Sequence, residues 1–587
     1  MRLHRHLLAA TMLAAAAPAL AGPVEDFQKL QDDYWATVLK DNPVFASQVG
    51  VKDYDRQLGE ISIAEFDRQA AAAAAFLKRL GFEAIPAASL SPADQAGYAI
   101  LRRQLADQVD NNRFGQRMLL YSVLGSYHNG IAGMGEQLAF RTRADYDNYL
   151  ARLALIPARM KAYSDMSVAA ANQGYTQPCV TMTNFPETIS GTIAADPAKS
   201  RFYAPFAGNK PATVSDDEWA ALQGRAKQII SGPINASYRD FGAVYDRDIK
   251  SKCRANVSVS AMPQGKEYYA AQVRQQTTTN LSPEQIHQIG LGEVGRIRNE
   301  MEQVAKKAGF ASREAMIADM RTNPKFFTKT PEELMEATSR MAKIIDGQMP
   351  SLFGRLPRLP YGLKEIPLEI APGSTTAYYQ PGSPETGVAG FYYVNTTKLD
   401  QRPLWEIPAL TVHEAVPGHH MQIALQQELE MPAWRKNTAF FTAFVEGWGL
   451  YSERLGIEMG LYDTPQKDMG RLGYEMWRAS RLVVDTGIHS KGWTKEQAVA
   501  FMKDNTTLTD ANIDAEVNRY ISNPGQALAY KLGELKIREL RTKAEKALGE
   551  KFDLRRFHDA VLGQGSIPLD ALEAQINAWI AAEQARS

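Results

Sequence analysis

Three histidines, His413, His419 and His420, fall within eight positions of the stretch TVHEAVPGHHMQ (Thr411–Gln422), and no other part of the chain gathers metal-binding side chains so densely. Glu414 follows the first of them directly. Imidazoles and a carboxylate can hold a divalent ion, and a further carboxylate beside it can take the proton of a water that the ion activates. The HExxH signature of zinc hydrolases does this with histidines four residues apart on one helix. Here the spacings are six and seven. His413 to His420 returns to one helix face but roughly 10 Å further along the axis, at ~1.5 Å per residue, an awkward reach for two groups bound at ~2 Å to one ion. His413 to His419 works if the helix is locally widened, and Pro417-Gly418 is where that would happen, since proline removes a backbone donor and glycine accepts unusual dihedrals. The expected ligands are therefore His413 and His419, with Glu414 as general base and His420 supporting a ligand or facing substrate.

A second motif, EGWGLYSE (Glu446–Glu453), lies on a strongly apolar helical pattern about thirty residues on. A glutamate there is costly unless paired, protonated or metal-bound. Glu446 and Glu453 stand seven residues apart and so share a face. Glu446 is read as the third ligand and Glu453 as the partner of a ligand histidine, with an exchange of the two roles left open. The plain alternative for the cluster, a surface run of histidines at a helix end, does not account for these glutamates.

The elements that must position these residues are mostly helical. Apolar residues recur at three- and four-residue spacing from Glu25 to about Ala170. His128 sits there in a Gly-bounded loop, where a structural role is expected. Between Gln177 and Ser215 proline, glycine and aromatic residues break the pattern, consistent with a cleft-lining loop or a surface excursion. Helices then restart at Ser282-Pro283-Glu284-Gln285, Thr330-Pro331-Glu332-Glu333 and Thr494 with Gln497 three on, each a capping-box pattern. His287, on the first, is expected to be solvated or packed. From Tyr361 to Thr397 the period changes to short β runs, IPLEI, TTAYYQ and FYYVNT, a small sheet that either borders the metal site or merely caps the helices. The metal-site helices span about 408–456, and no repeat or low-complexity tail divides residues 22–587, which read as one large helical domain.

The first 21 residues, with Arg2 and Arg5, an apolar run and Ala19-Leu20-Ala21, match a cleavable export signal. A membrane anchor would need a longer run. Export implies a periplasmic or secreted protein without a stable membrane span. Without Arg2 and Arg5 there remain 64 basic and 66 acidic side chains, a formal charge of −2, and no basic cluster suggests a nucleic-acid partner. Cys179 and Cys253 are the two cysteines. They allow one disulfide or two separate thiols, and lie too far from the histidines to suggest a Cys-based zinc site.

HEAVPGHHMQ, EGWGLYSE, VVDTGIHSKGWTKEQA, NRYISNPGQALAYKLG and GFYYVNT, in that company over most of the chain, resemble the bacterial family catalogued as domain of unknown function 885. The resemblance implies a large helical, zincin-like peptidase fold with a small sheet next to the metal site, similar to glutamate-zincins such as the thimet-type oligopeptidases and angiotensin-converting enzyme. In those enzymes a downstream Tyr and His assist the oxyanion. The corresponding candidates here are His489, Tyr520 and Tyr530, with Arg481, Arg519 and Lys531 able to hold a peptide's terminal carboxylate. The expectation is an exported metallopeptidase with one Zn2+, other divalent ions being compatible with the same ligands, acting on short peptides. A zinc hydrolase of a non-peptide amide or ester, and an envelope or binding protein with a structural metal, stand as alternatives.

Overall fold

Ser282 accepts the N–H of Gln285 while the Gln285 side chain takes the N–H of Ser282, so the capping box opens the long helix that its sequence predicts. The same reciprocal pair forms between Thr494 and Gln497. At Thr330 only half of it forms: the hydroxyl takes the N–H of Glu333, whereas the Glu333 carboxylate takes the N–H of Lys329. The computed structural model describes residues 22–586 apart from 82–84, 124, 367, 369–370, 372–374 and 385–386. The export-signal reading of residues 1–21 therefore lies outside the described residues.

The chain is mostly helical. Seven helices carry the residues that matter to the site and its supports: α1 (Pro283–Lys307), α2 (Ile407–Glu414), α3 (His419–Glu428), α4 (Thr442–Leu455), α5 (Pro465–Lys491), α6 (Asp510–Ser522) and α7 (Ala529–Leu548). Helices α1 and α5 lie against each other through Val294, Ile297 and Met301 on one side and Met469, Leu472, Met476 and Val483 on the other. Helices α4 and α7 cross so closely that a Cβ on Gly533 would stand 1.8 Å from the carbonyl oxygen of Ala443, and one on Gly447 would stand 2.5 Å from the Cα of Gly533. Both glycines are thus required by approach rather than by turn geometry.

Three strands, β1 (Tyr361–Glu365), β2 (Ala377–Gln380) and β3 (Gly390–Val394), form one sheet in the order β1-β3-β2, with β3 parallel to β1 and antiparallel to β2. TTAYYQ contains one of these strands and FYYVNT holds all but the first residue of another. The third is the segment just before IPLEI, with the N–H of Ile366 reaching the carbonyl of Val394 at 2.8 Å; residues 367 and 369–370 of the expected IPLEI strand lie outside the described residues. The buried face of the sheet packs Ala377, Tyr392 and Val394 against Ile407, Ala409 and Leu410 of α2. The sheet thus borders the helix that carries His413.

The N-terminal half holds its own core, built on the helix Arg143–Asn172 with Tyr149, Leu153, Ile156 and Tyr163 inside. The irregular stretch 177–215 belongs to that core: Phe185, Phe202 and Phe206 are buried in it on short helical turns, so the segment is packed structure and not an excursion. Cys179 and Cys253 are joined in a disulfide. His128 is fully buried beside the Thr188 hydroxyl, and His287 is packed against Thr486. A second large core draws on both ends of the chain, from Phe27 and Leu30 to Leu572 and Ile576, and it contains Trp448 and Tyr451 of α4.

Candidate metal centre

Helix α2 does not widen at Pro417-Gly418 as expected; it ends. Ala415 leaves helical geometry at φ −95°, ψ −116°, the Val416–Pro417 peptide is cis, and α3 begins at His419. Two contacts explain the break. Proline offers no N–H to continue the ladder, and the returning backbone passes so near the end of α2 that a Cβ on Gly418 would lie 1.9 Å from the carbonyl oxygen of His413. The N–H of His420 closes the turn on the carbonyl of Ala415 at 3.1 Å. The turn folds His419 back onto His413, ring centroids 4.6 Å apart and nearly perpendicular.

EGWG of α4 receives this turn. The indole of Trp448 donates to the carbonyl of Pro417 at 2.7 Å. Gly449 leaves the space that the His413 ring fills, since a Cβ there would stand 2.8 Å from it. Glu446 Oε2 then lies 3.5 Å from Nε2 of His413 and 3.5 Å from Nε2 of His419. This oxygen is buried and has no hydrogen-bond partner, and neither has Nδ1 of His419. Four ligands at ~2.0–2.1 Å around a tetrahedral ion stand roughly 3.4 Å apart. The donor types, their separation and the orphaned carboxylate oxygen therefore fit a divalent ion held by His413, His419 and Glu446, the cluster whose ligand atoms all lie within 4.8 Å of one another.

Nδ1 of His413 donates to Glu453 Oε1 at 2.8 Å, which leaves the Nε2 lone pair facing Glu446. Glu453 is almost fully buried and is itself held by Arg478, Nη2 at 3.2 Å from the same oxygen. With no cation between them, burial opposes a charge on His413, but Glu446, Glu453 and Glu414 outweigh it and push the imidazole up to about 9. Burial likewise works against the Glu446 carboxylate, and the two imidazoles pull it well below the usual range. Glu414, next to His413 at the end of α2, is 8% exposed and close enough to Tyr392 of β3 to raise that phenol, after burial itself.

The remaining sequence candidates divide. His420 does not face the Glu446 corner: its Nε2 donates to the carbonyl of Leu359 at 3.0 Å and its Nδ1 accepts from Tyr379 of β2 at 2.9 Å, so it pins the sheet to α3. Burial depresses it to about 4. His489 is excluded as an oxyanion donor, because its Nδ1 accepts the N–H of Val259 and its Nε2 binds the carbonyl of Tyr520, both in the interior. Lys531 is fully buried between Glu475 and Glu534, each at 2.8 Å, with Glu293 at 3.0 Å, and has no charge to spare for a substrate. The Tyr520 hydroxyl donates to Glu516 at 2.6 Å and accepts from Trp477 and Arg481. Tyr530 is the candidate nearest the centre in electrostatic terms: burial raises its hydroxyl, and the Glu446 charge adds to the rise. Arg478 and Trp448 escape a reading by motif. Arg478 is buried on α5, where its charge requires a partner, but among the many charged residues of that helix nothing in the sequence marks it.

A family model described as bacterial protein of unknown function (DUF885) matches residues 43–576. A solved structure from Colwellia psychrerythraea, described as a "putative lipoprotein", is 27% identical, with a TM-score of 0.88 over 95% of this chain and 99% of that one. One from Shewanella oneidensis, described as a lipoprotein of the same standing and of unknown function, is 20% identical, with a TM-score of 0.72 over 94% of this chain and 99% of that one, a likeness of fold. No curated protein matches the chain significantly.

Proposed function

We propose that this chain, which belongs to the DUF885 family of bacterial proteins, is an exported metal-dependent hydrolase of short peptides with a zincin-like centre. The reading rests on one observation above all: a buried Glu446 oxygen without a partner, equidistant from Nε2 of His413 and Nε2 of His419. Among the described residues the cluster holds three donors. A structural zinc site is closed by a fourth protein ligand, whereas a catalytic one keeps a position for water, which favours the enzyme over the structural alternative. Zinc, when bound there, supplies a Lewis acid and brings the pKa of its water to about 7.

The chain's own residues supply the rest. Glu414, directly after His413 at the buried end of α2, would accept the water's proton on its carboxylate and deliver it to the leaving nitrogen. Tyr530, kept protonated by its raised pKa, is a donor for the oxyanion. Strand β2 is an edge of the sheet and is tied to α3 through Tyr379 and His420. An extended substrate can pair with such an edge. Export is supported by the N-terminal pattern, the Cys179–Cys253 disulfide and the lipoprotein description of the Colwellia psychrerythraea structure. No described helix is long and apolar enough to cross a membrane.

The test is Glu414→Gln. It should retain the metal and lose at least about 100-fold in peptide turnover, while a chelator abolishes wild-type turnover and zinc restores it. Turnover by Glu414→Gln at the wild-type rate on a peptide panel would remove Glu414 from the base role.

A further inference from the structure

Gln422 closes the stretch TVHEAVPGHHMQ, three positions after His419 on α3, and is 2% exposed. Residues three apart on a helix share a face, with Cβ atoms roughly 5–6 Å apart, and helical side chains lean toward the N-terminal turn. Gln422 therefore lies over the turn that holds His419. A chain of hydrogen bonds orients its amide. Gln426 donates through Nε2 to the carbonyls of Lys436 at 3.2 Å and Ala439 at 3.3 Å, and its Oε1 accepts the N–H of Ser566 at 2.8 Å. That oxygen also accepts from Nε2 of Gln422 at 3.2 Å. With Gln426 fixed in this sense, Gln422 turns its nitrogen to Gln426, and its Oε1 is left as a buried acceptor with no partner among the described residues.

His419 presents the complementary need. Its Nε2 lies 3.5 Å from Glu446 Oε2, and an imidazole that offers Nε2 to a cation carries its proton on Nδ1. Nδ1 of His419 is then a donor, and it too is buried without a partner among the described residues. A buried donor left unpaired is costly, and so is a buried acceptor; one contact satisfies both. The other residue of α3 with an unpartnered buried oxygen is Gln427. It stands eight positions from His419, about 12 Å along the axis at ~1.5 Å per residue, and its Nε2 is bound to the carbonyl of Gly382 at 2.9 Å.

From this complementarity we infer that Gln422 Oε1 accepts the Nδ1–H of His419, directly or through one bound water, and is the positioning residue of that ligand as Glu453 is of His413. The inference rests on the metal reading of the centre and not on hydrolysis. A bridging water has enough partners here, since two to four polar groups suffice to hold one. The two imidazoles are thus oriented by unlike acceptors, a carboxylate paired with Arg478 at 3.2 Å on one side and a neutral amide on the other. Through Gln426 the orientation of His419 is also tied to Ser566, on the segment that leads into the C-terminal helix Leu569–Gln584.

Crystals of the zinc-loaded protein should show Gln422 Oε1 within hydrogen-bond distance of His419 Nδ1, or one water within reach of both; any other acceptor on Nδ1 would overturn the inference. The metal affinity of Gln422→Met, read by competition with a chromogenic chelator, should fall about 10–100-fold. Gln422→Glu keeps an acceptor but loses the donor to Gln426, and should recover most of that affinity. Proton NMR of the cobalt-substituted protein gives a readout that a packing role does not move. Wild type and Gln422→Glu should show two shifted ring N–H signals protected from solvent, and Gln422→Met only that of His413. Both signals and wild-type affinity in Gln422→Met, or equal losses in Gln422→Met and Gln422→Glu, would overturn the inference while leaving the metal reading intact. If Gln422→Met does not fold, the zinc-loaded structure and the two wild-type signals decide, a single protected signal counting against the inference. Wild-type protein that binds no metal would fault the metal reading and the inference with it.

Discussion

Glu453 Oε1 accepts a 2.8 Å hydrogen bond from Nδ1 of His413, across 40 residues of sequence. The bond fixes the imidazole tautomer and its orientation, and it raises the basicity of the nitrogen that faces Glu446. Glu453→Gln should therefore keep the fold and weaken metal affinity by about 10–100-fold, read by competition with a chromogenic chelator. An affinity equal to wild type would show that Glu453 serves only its ion pair with Arg478.

The turn between His413 and His419 depends on a residue without a side chain. A Cβ at position 418 would meet the His413 carbonyl oxygen at 1.9 Å, and backbone cannot yield as a side-chain tip does. Gly418→Ala is expected to lower the melting temperature and to separate the two imidazoles, with loss of stoichiometric metal. Retention of one equivalent of metal would mean that the turn tolerates rearrangement. Gly533→Ala makes a comparable collision with Ala443, 1.8 Å away, and should destabilise by about 3 kcal/mol or more.

Lys531 is held protonated against its burial by Glu475, Glu534 and Glu293. Replacing it with methionine leaves those carboxylates facing one another with only arginines such as Arg296 and Arg471 for balance. A loss of about 3–5 kcal/mol is expected, measured by denaturant unfolding. Metal content under folding conditions should be unchanged, which separates this lysine from the cluster of His413, His419 and Glu446.

Acid sensitivity follows from buried histidines outside the ligand set. Burial depresses His558 to about 3, with the Leu352 carbonyl resisting, and depresses His128 to about 4. Such a group contributes stability that is complete above the ordinary value near 6.5 and is lost as pH falls through the folded value, because the unfolded chain takes up the proton first. At ~1.4 kcal/mol per pKa unit, the unfolding free energy should drop by a few kcal/mol between pH 6.5 and 4. His558→Gln should flatten that slope while lowering stability at pH 7. A pH profile parallel to wild type would show that other groups carry the effect.

What could be read from residue order alone was local. Capping at Ser282 and Thr494 came from hydroxyl and amide spacing, and the pairing of a histidine motif with a buried-glutamate motif came from the cost of Glu446 and Glu453 on an apolar helix. Spacing arithmetic assumed one continuous helix through Pro417-Gly418, so the break at Ala415 and the cis peptide were not legible. Likewise His420 and His489 look like any catalytic histidine in a string of letters; only the neighbours that occupy both ring nitrogens, Tyr379 and Leu359 in one case and Val259 and Tyr520 in the other, exclude them from the reacting end. Lys531 is excluded in the same way, through carboxylates contributed by α1, α5 and α7 that no local pattern brings together.

The central claim is that His413, His419 and Glu446 hold a catalytic metal. The most direct measurement is anomalous diffraction at the zinc edge from crystals of zinc-loaded protein, paired with metal content by mass spectrometry for wild type and Glu446→Gln. The account predicts one peak between the two Nε2 atoms and the Glu446 carboxylate, one equivalent of metal in the wild type, and far less in Glu446→Gln. Wild-type protein with no peak there, its Glu446 simply paired with a protonated His413, would contradict it.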